Sequence, residues 1–162
     1  MHIRLKNNFL YFKDYKIKCS IGKRGLTNKK REGDLRTPKG KYKFLMLLYR
    51  KDRIKRIVTK IKKKVIKNNM GWCNDSKSSH YNRMIRFPFK RSAEKLYLKK
   101  NIYDLILVLS YNFFPVRKNR GSAIFLHVAK KNYEPTEGCI AVKKKDLVKI
   151  LNKIDRKTFI YI

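Results

Sequence analysis

A mainly β fold, with mixed sheets in a sandwich-like core and one or two flanking helices, is what three observations predict. Apolar runs are short and rich in Ile, Val, Tyr and Phe, residue types that suit a pleated, half-buried surface. Gly, Asn, Asp and Pro turn chemistry interrupts them throughout. An amphipathic helical spacing stands out near the C-terminus, in Lys144 to Ile154. With 162 residues the chain can bury a full core without disulfide or metal staples, so residues 1–162 are expected to form a single domain.

Taken in order, residues 3 to 21 carry Phe9 to Phe12 and then Ile17, Cys19 and Ile21, split by Lys13 and Asp14, which predicts a hairpin of two strands. Gly22 to Gly40 reads as a polar surface loop with turn chemistry at Arg31-Glu32-Gly33-Asp34 and Thr37-Pro38-Lys39-Gly40. Lys41 to Tyr49 is a strand apolar on both faces, with Tyr42, Phe44 and Met46 opposite Leu45 and Leu47, and so is expected to lie between layers. Arg50 to Asn69 is densely basic, and its Ile and Val residues fit a helix by spacing and extended chain by β-branching. Gly71 to Asp75 is expected to start a loop that contains His80, and Ser92 to Lys99 to form a helical turn or two with Ser92 as N-cap.

Ile102 to Leu109 is nearly continuous apolar sequence and predicts a central buried strand. A basic turn, Pro115 to Gly121, leads into a strand Ser122 to Val128, with Ala123, Phe125 and His127 on one face. Ile140 to Val142 is a short strand, and the helix that follows should bury Leu147, Val148, Leu151 and Ile154. Thr158 to Ile162 closes the chain as a strand.

There are 44 Lys plus Arg against 11 Asp plus Glu, a net +33. The excess is spread along the whole chain and the densest run lacks interleaved aromatics for base stacking, so it reads as a solvated surface and not as a specific nucleic-acid site. Non-specific attraction to polyanions at low salt is expected. Cys19, Cys73 and Cys139 show no CxxC spacing and His2, His80 and His127 are scattered, which argues against a structural zinc site. Cys19 and Cys73 are open to a disulfide only in an oxidising compartment. No apolar run is long enough to span a membrane, and the N-terminal residues lack a signal-peptide pattern, so the chain as written is expected in the cytoplasm.

The chemistry concentrates in Phe125 to Val142, FLHVAKKNYEPTEGCIAV, where His127 stands twelve positions before Cys139. A thiol is strongly nucleophilic only as thiolate, and a nearby imidazole can take its proton. Gly138 allows close backbone approach, so amide N–H groups there can face a developing oxyanion. On spacing alone a buried thiol and a core imidazole would look the same.

The motif resembles that of the L,D-transpeptidase catalytic domain, or YkuD, family of bacterial cell-wall synthesis: a histidine, a loop of a dozen or more residues, then Ser or Thr, any residue, Gly and Cys. His127, Thr136, Gly138 and Cys139 occupy those places. KREGDLRTPKGKYKF, GWCNDSKSSHYNRMIRFPF, YDLILVLSYN and RGSAIFLHVAK are similar to further segments of its small Gram-negative members, so the resemblance runs from about Ile17 to Leu151. It implies the L,D-transpeptidase catalytic fold and a thioester formed by Cys139 with a stem-peptide donor. It also implies His127 as base, Gly138 and Cys139 amides at the oxyanion, Thr136 in support, no metal or cofactor, and acylation by carbapenems. Tyr111, Asn112, Arg83, Arg86 and Arg120 become candidates for substrate binding, with the arginines gripping carboxylates. Peptidoglycan stem peptides, as donor and acceptor, are the implied partners, and the periplasm or cell envelope the implied location.

Many members carry Arg or Asn two positions after the cysteine, where this chain has Ala141. A subset with Ala there resembles enzymes that make 1,3 instead of 3,3 cross-links. An L,D-carboxypeptidase or other peptidoglycan peptide hydrolase on the same site, a basic nucleic-acid binder and a non-catalytic wall-binding module are the alternatives.

Overall fold

The computed structural model describes residues 2–162. Its first three strands, β1 (His2–Lys6), β2 (Phe9–Phe12) and β3 (Tyr15–Ser20), form an antiparallel meander in place of the expected single hairpin. The extra reversal comes from Asn7 and Asn8, both at positive φ (49° and 60°), a region that asparagine tolerates and that matches the twist of a tight hairpin. β4 (Leu26–Thr27) and β5 (Thr37–Pro38) pair in parallel within the segment expected to be a surface loop. That loop is turned inward, since Lys30 and Thr37 are buried.

β6 (Lys41–Tyr49) is the longest strand, and β7 (Lys63–Val65) runs parallel to its end. The register of β6 skips a residue, so Phe44 and Leu47 enter one core while Leu45, Met46 and Leu48 face another. The strict alternation expected there is broken by this bulge. Among the described residues of the basic stretch after β6 there is no helix; Ile54, Ile61 and Ile66 are buried from turns and extended chain.

β8 (Met70–Cys73), β9 (Met84–Arg86) and β10 (Ala93–Lys95) make a separate antiparallel sheet in the order β10-β8-β9. Two expectations fail here. Gly71 to Cys73 is a buried strand and not the start of a loop, and residues 93–95 are a strand and not a helical turn. The Ser92 hydroxyl donates to Asn74 Oδ1 (2.7 Å) instead of capping a helix, and β10 takes its backbone partners from β8.

A 3₁₀ turn (Asn101–Tyr103) leads into β11 (Leu105–Leu109), which is buried along its whole length. β12 (Phe125–Val128) and β13 (Ile140–Val142) follow, joined by a crossover that contains a 3₁₀ turn at Lys131–Tyr133, then α1 (Lys144–Lys153) and β14 (Phe159–Tyr161). α1 buries Leu147, Ile150 and Leu151; the expected Val148 is 38% exposed, because the buried stripe lies around Ile150.

The large sheet runs β11-β12-β13-β3-β2-β1-β14-β6-β7 and closes on itself, since β6 also pairs with β11. Leu10, Phe12, Ile17, Leu107, Leu126, Val142 and the α1 residues fill its interior. Outside, the three-stranded sheet lays Met70, Trp72 and Leu96 against Leu48, Ile106, Val108 and Phe125, making a second core. The mainly β, sandwich-like architecture thus has two layers meeting over β6, β11 and β12, with one α-helix flanking. Cys19 lies in the inner core and Cys73 in β8, both as free thiols. Among the described residues no helix is long and apolar enough to cross a membrane.

Candidate active site

Strand alternation decides which residues reach the space between the layers. In β12, Leu126 and Val128 point into the inner core, so Phe125 and His127 face the outer layer. β13 runs parallel to β12 with His127 beside Ala141, and its next neighbour is β3, with Ala141 beside Ser20. Cys139, two residues before Ala141, is half-buried against the second core. The sequence thus brings Cys139 and His127 to one face by two adjacent strands, although a twelve-residue separation alone does not require it.

The thiol is held by backbone. Cys139 Sγ donates to the Ala123 carbonyl (3.0 Å) and accepts from the Phe125 N–H (3.4 Å). His127 Nδ1 lies 2.9 Å from the Val128 carbonyl, and the ring meets Tyr103 edge-on at 5.3 Å. As Nδ1–H donor to that carbonyl, the neutral ring keeps Nε2 unprotonated. Burial pushes the imidazole down to about 4, opposed by the Val128 and Ile102 carbonyls, which favour its protonated form. Burial also pushes the thiol up to about 12; Glu94 adds to the rise and the Phe125 N–H opposes it. At neutral pH the resting pair is therefore thiol and imidazole, both uncharged.

The turn before Cys139 is stapled by Thr136. Its hydroxyl donates to the Cys139 carbonyl (2.6 Å) and accepts the Gly138 N–H (3.1 Å). That leaves the Cys139 N–H, among the described residues, without a protein acceptor, while the Gly138 N–H is already engaged. Gly138 sits at φ 143°, and a Cβ there would come within 2.9 Å of the Arg36 carbonyl. Its own carbonyl accepts from Thr37 Oγ1 (2.8 Å), and the same hydroxyl accepts the Gly22 N–H (2.8 Å). Lys30, paired with Asp34, packs its stem against Gly121 and Gly138. The inward-turned loop of residues 22–40 is thus the bed on which the turn before Cys139 rests.

A second support fixes the Ala123 carbonyl. Asn82 Oδ1 accepts from Trp72 Nε1 (2.9 Å) and from the Ala123 N–H (3.0 Å), and its amide donates to the Asn112 carbonyl (2.6 Å). Asn112, at φ 45°, ties the turn after β11 through the Arg117 and Gly121 carbonyls (2.9 Å each). Tyr111 donates to the Arg120 carbonyl. Arg83 donates to the Phe113 carbonyl (2.7 Å) and lies over the Phe113 ring, so its guanidinium is partly spent on the fold. Arg86 is exposed on β9, Arg120 is exposed on the turn after β11, and His80 is exposed beside Phe89. Sequence reasoning passed over Thr37, Lys30, Asn82, Tyr103 and Glu94, which lie in unrelated segments and meet only through the fold.

The YkuD family model, the L,D-transpeptidase catalytic domain, matches residues 2–162. The chain belongs to the L,D-transpeptidase catalytic domain family. The match is wider than the resembling segment from Ile17 to Leu151, and takes in β1, β2 and β14, the strands that link β3 to β6 in the large sheet. No protein among the curated ones compared matches the chain. Membership makes this an L,D-transpeptidase-type enzyme domain whose family acts on peptidoglycan peptides. In that setting Ala141 acquires a location: its methyl lies between His127 and Ser20 across the sheet, and Ser20 Oγ is a buried hydroxyl with no hydrogen-bond partner among the described residues. A groove of about 400 Å³ opens beside Ser20, walled by Lys18, Gly22, Tyr133 and Pro135.

Proposed function

We propose that the protein is a cysteine peptidoglycan L,D-transpeptidase that transfers an acyl group from a stem-peptide donor to an acceptor amine through a thioester on Cys139. The observation that carries this reading is the shared face of β12 and β13, where a backbone-held thiol stands one strand from an imidazole whose Nδ1 is tied to the Val128 carbonyl. His127 takes the thiol proton as sulfur attacks the donor carbonyl, and gives it to the departing amine. The Cys139 N–H is the donor left for the tetrahedral oxyanion, while Thr136 and Gly138 hold the turn that aims it.

The cross-link formed is 3,3 or, given Ala141, 1,3. A small side chain between His127 and Ser20 leaves room where Arg or Asn would otherwise fill the row, which supports the second. Arg86 on β9 and Arg120 on the turn after β11, both exposed cations, are proposed to attract donor carboxylates. Action in the periplasm or cell envelope follows from the substrate.

The test is incubation of pure protein with disaccharide-peptides, followed by mass spectrometry. Directly linked peptide dimers are expected from the parent, with none from Cys139→Ala, together with a carbapenem adduct on the parent alone. Trimmed monomers without dimers would assign the site to hydrolysis.

A further inference from the structure

Glu94 on β10 belongs to no motif, yet its carboxylate accepts a hydrogen bond from Tyr103 Oη, and the Tyr103 ring abuts His127. The strand partner of Glu94 is Trp72, whose ring packs edge-on against Phe125, the residue whose N–H contacts Cys139 Sγ. Two independent paths therefore bring this carboxylate from the outer layer to the mouth of the thiol site. We propose that Glu94 receives the cationic amine of the acceptor and holds it beside the Cys139 thioester. This rests on the acyl-transfer reading above.

The charge pattern of the molecule makes the placement informative. There are 44 basic residues for 11 acidic ones, so cationic partners for a carboxylate are plentiful. Glu94 forms no ion pair among the described residues, and neither do Glu32, Glu137, Asp14 or Asp155, while Asp34, Asp52, Asp75, Asp104, Glu134 and Asp146 all do. Burial, with Glu137 and Glu32 adding to it, pushes the Glu94 carboxyl above its usual range, and Tyr103 opposes that. Tyr103 bonds Oε1, which leaves Oε2 for a ligand. A primary ammonium supplies the missing positive charge and three N–H donors.

The step balances as follows. The ammonium bound at Glu94 releases one proton to solvent. The free amine nitrogen attacks the thioester carbonyl, so a C–N bond forms and the C–S bond breaks. A second proton passes from nitrogen to His127 and on to the departing sulfur, while the third stays on the new amide.

Glu94→Gln keeps an acceptor for Tyr103 and removes the charge, and Glu94→Asp keeps the charge on a shorter arm. Each is compared with the parent for the ratio of aminolysis product to trimmed monomer, and for acceptor KM, with a cationic stem-peptide acceptor, which gives a dimer, and with hydroxylamine, which is uncharged at neutral pH and gives a hydroxamate. Thermal melting checks that each variant is folded. With the cationic acceptor, Glu94→Gln should lower the ratio and raise acceptor KM by about tenfold, with Glu94→Asp between it and the parent. With hydroxylamine the partition should match the parent. An unchanged ratio with the cationic acceptor, or equal losses with both nucleophiles, overturns the assignment. A parent that forms no adduct with donor or carbapenem overturns the acyl-transfer reading and this one with it, whereas a parent that forms the adduct with unchanged variant partition overturns Glu94 alone.

Discussion

His127 and Cys139 tie chemistry to stability, because each is held in its uncharged form. The imidazole is lowered from an ordinary 6.5 to about 4. It therefore contributes stability that is present above the ordinary value and lost as pH falls through the folded one, up to about 3 kcal/mol. The thiol is raised from 9.0 to about 12, so its contribution is present below pH 9.0 and lost as pH rises toward 12. Melting curves across pH should show an acid-side loss that is flattened in His127→Gln. An acid limb identical to the parent's would show that the histidine is not buried neutral. Thr37→Val is isosteric but leaves the buried Gly22 N–H and Gly138 carbonyl unpaired; about 1–3 kcal/mol of stability should be lost for each. The turn before Cys139 should loosen with it, so acylation by a carbapenem should slow as well. Of these residues, Cys139 and His127 stand out in the sequence because a motif names them. Thr37 does not, since its polar context looks the same on a surface loop, and only the inward turn of residues 22–40 gives its hydroxyl two buried partners.

Elements show the same division. β6, β11, β13 and α1 announce themselves by apolar content or period, and the strand after Pro115 was visible as an apolar run although its paired part begins only at Phe125. β8 and β10 were hidden because each is short and takes its stabilisation from the other and from the second core, a tertiary effect that overrides local propensity. Asn7-Asn8 was readable in principle as a hairpin signal and was passed over in favour of Lys13-Asp14. One inter-element tie is open to direct measurement. Asp104, buried at the start of β11, bonds Arg53 (2.8 Å) and Lys144 (3.0 Å), joining the turn after β6 to the first turn of α1. Asp104→Asn should lower stability in urea by about 2 kcal/mol, since it weakens two charge-assisted bonds. A loss below a few tenths would mean that those elements are held by apolar packing alone.

At the scale of the molecule, a closed sheet supplies a rigid floor and the three-stranded layer a lid of side chains over it, with the thiol site at their meeting edge. The net charge of +33 surrounds a site whose nearest carboxylates, Glu94 and Glu137, form no ion pair among the described residues. Polyanion binding should therefore be non-specific, fall steeply with added salt, and be the same in Cys139→Ala as in the parent, as measured by retention on heparin at increasing salt. Retention that depended on Cys139 would place polyanion binding in the thiol site. The central claim is acyl transfer by Cys139 to an amine. Its most direct test is mass spectrometry of the products that the pure protein makes from disaccharide-peptides, read for dimers and for the position of their new amide bond. Directly linked dimers that vanish in Cys139→Ala are the predicted result, and unchanged peptides or trimmed monomers alone would contradict it.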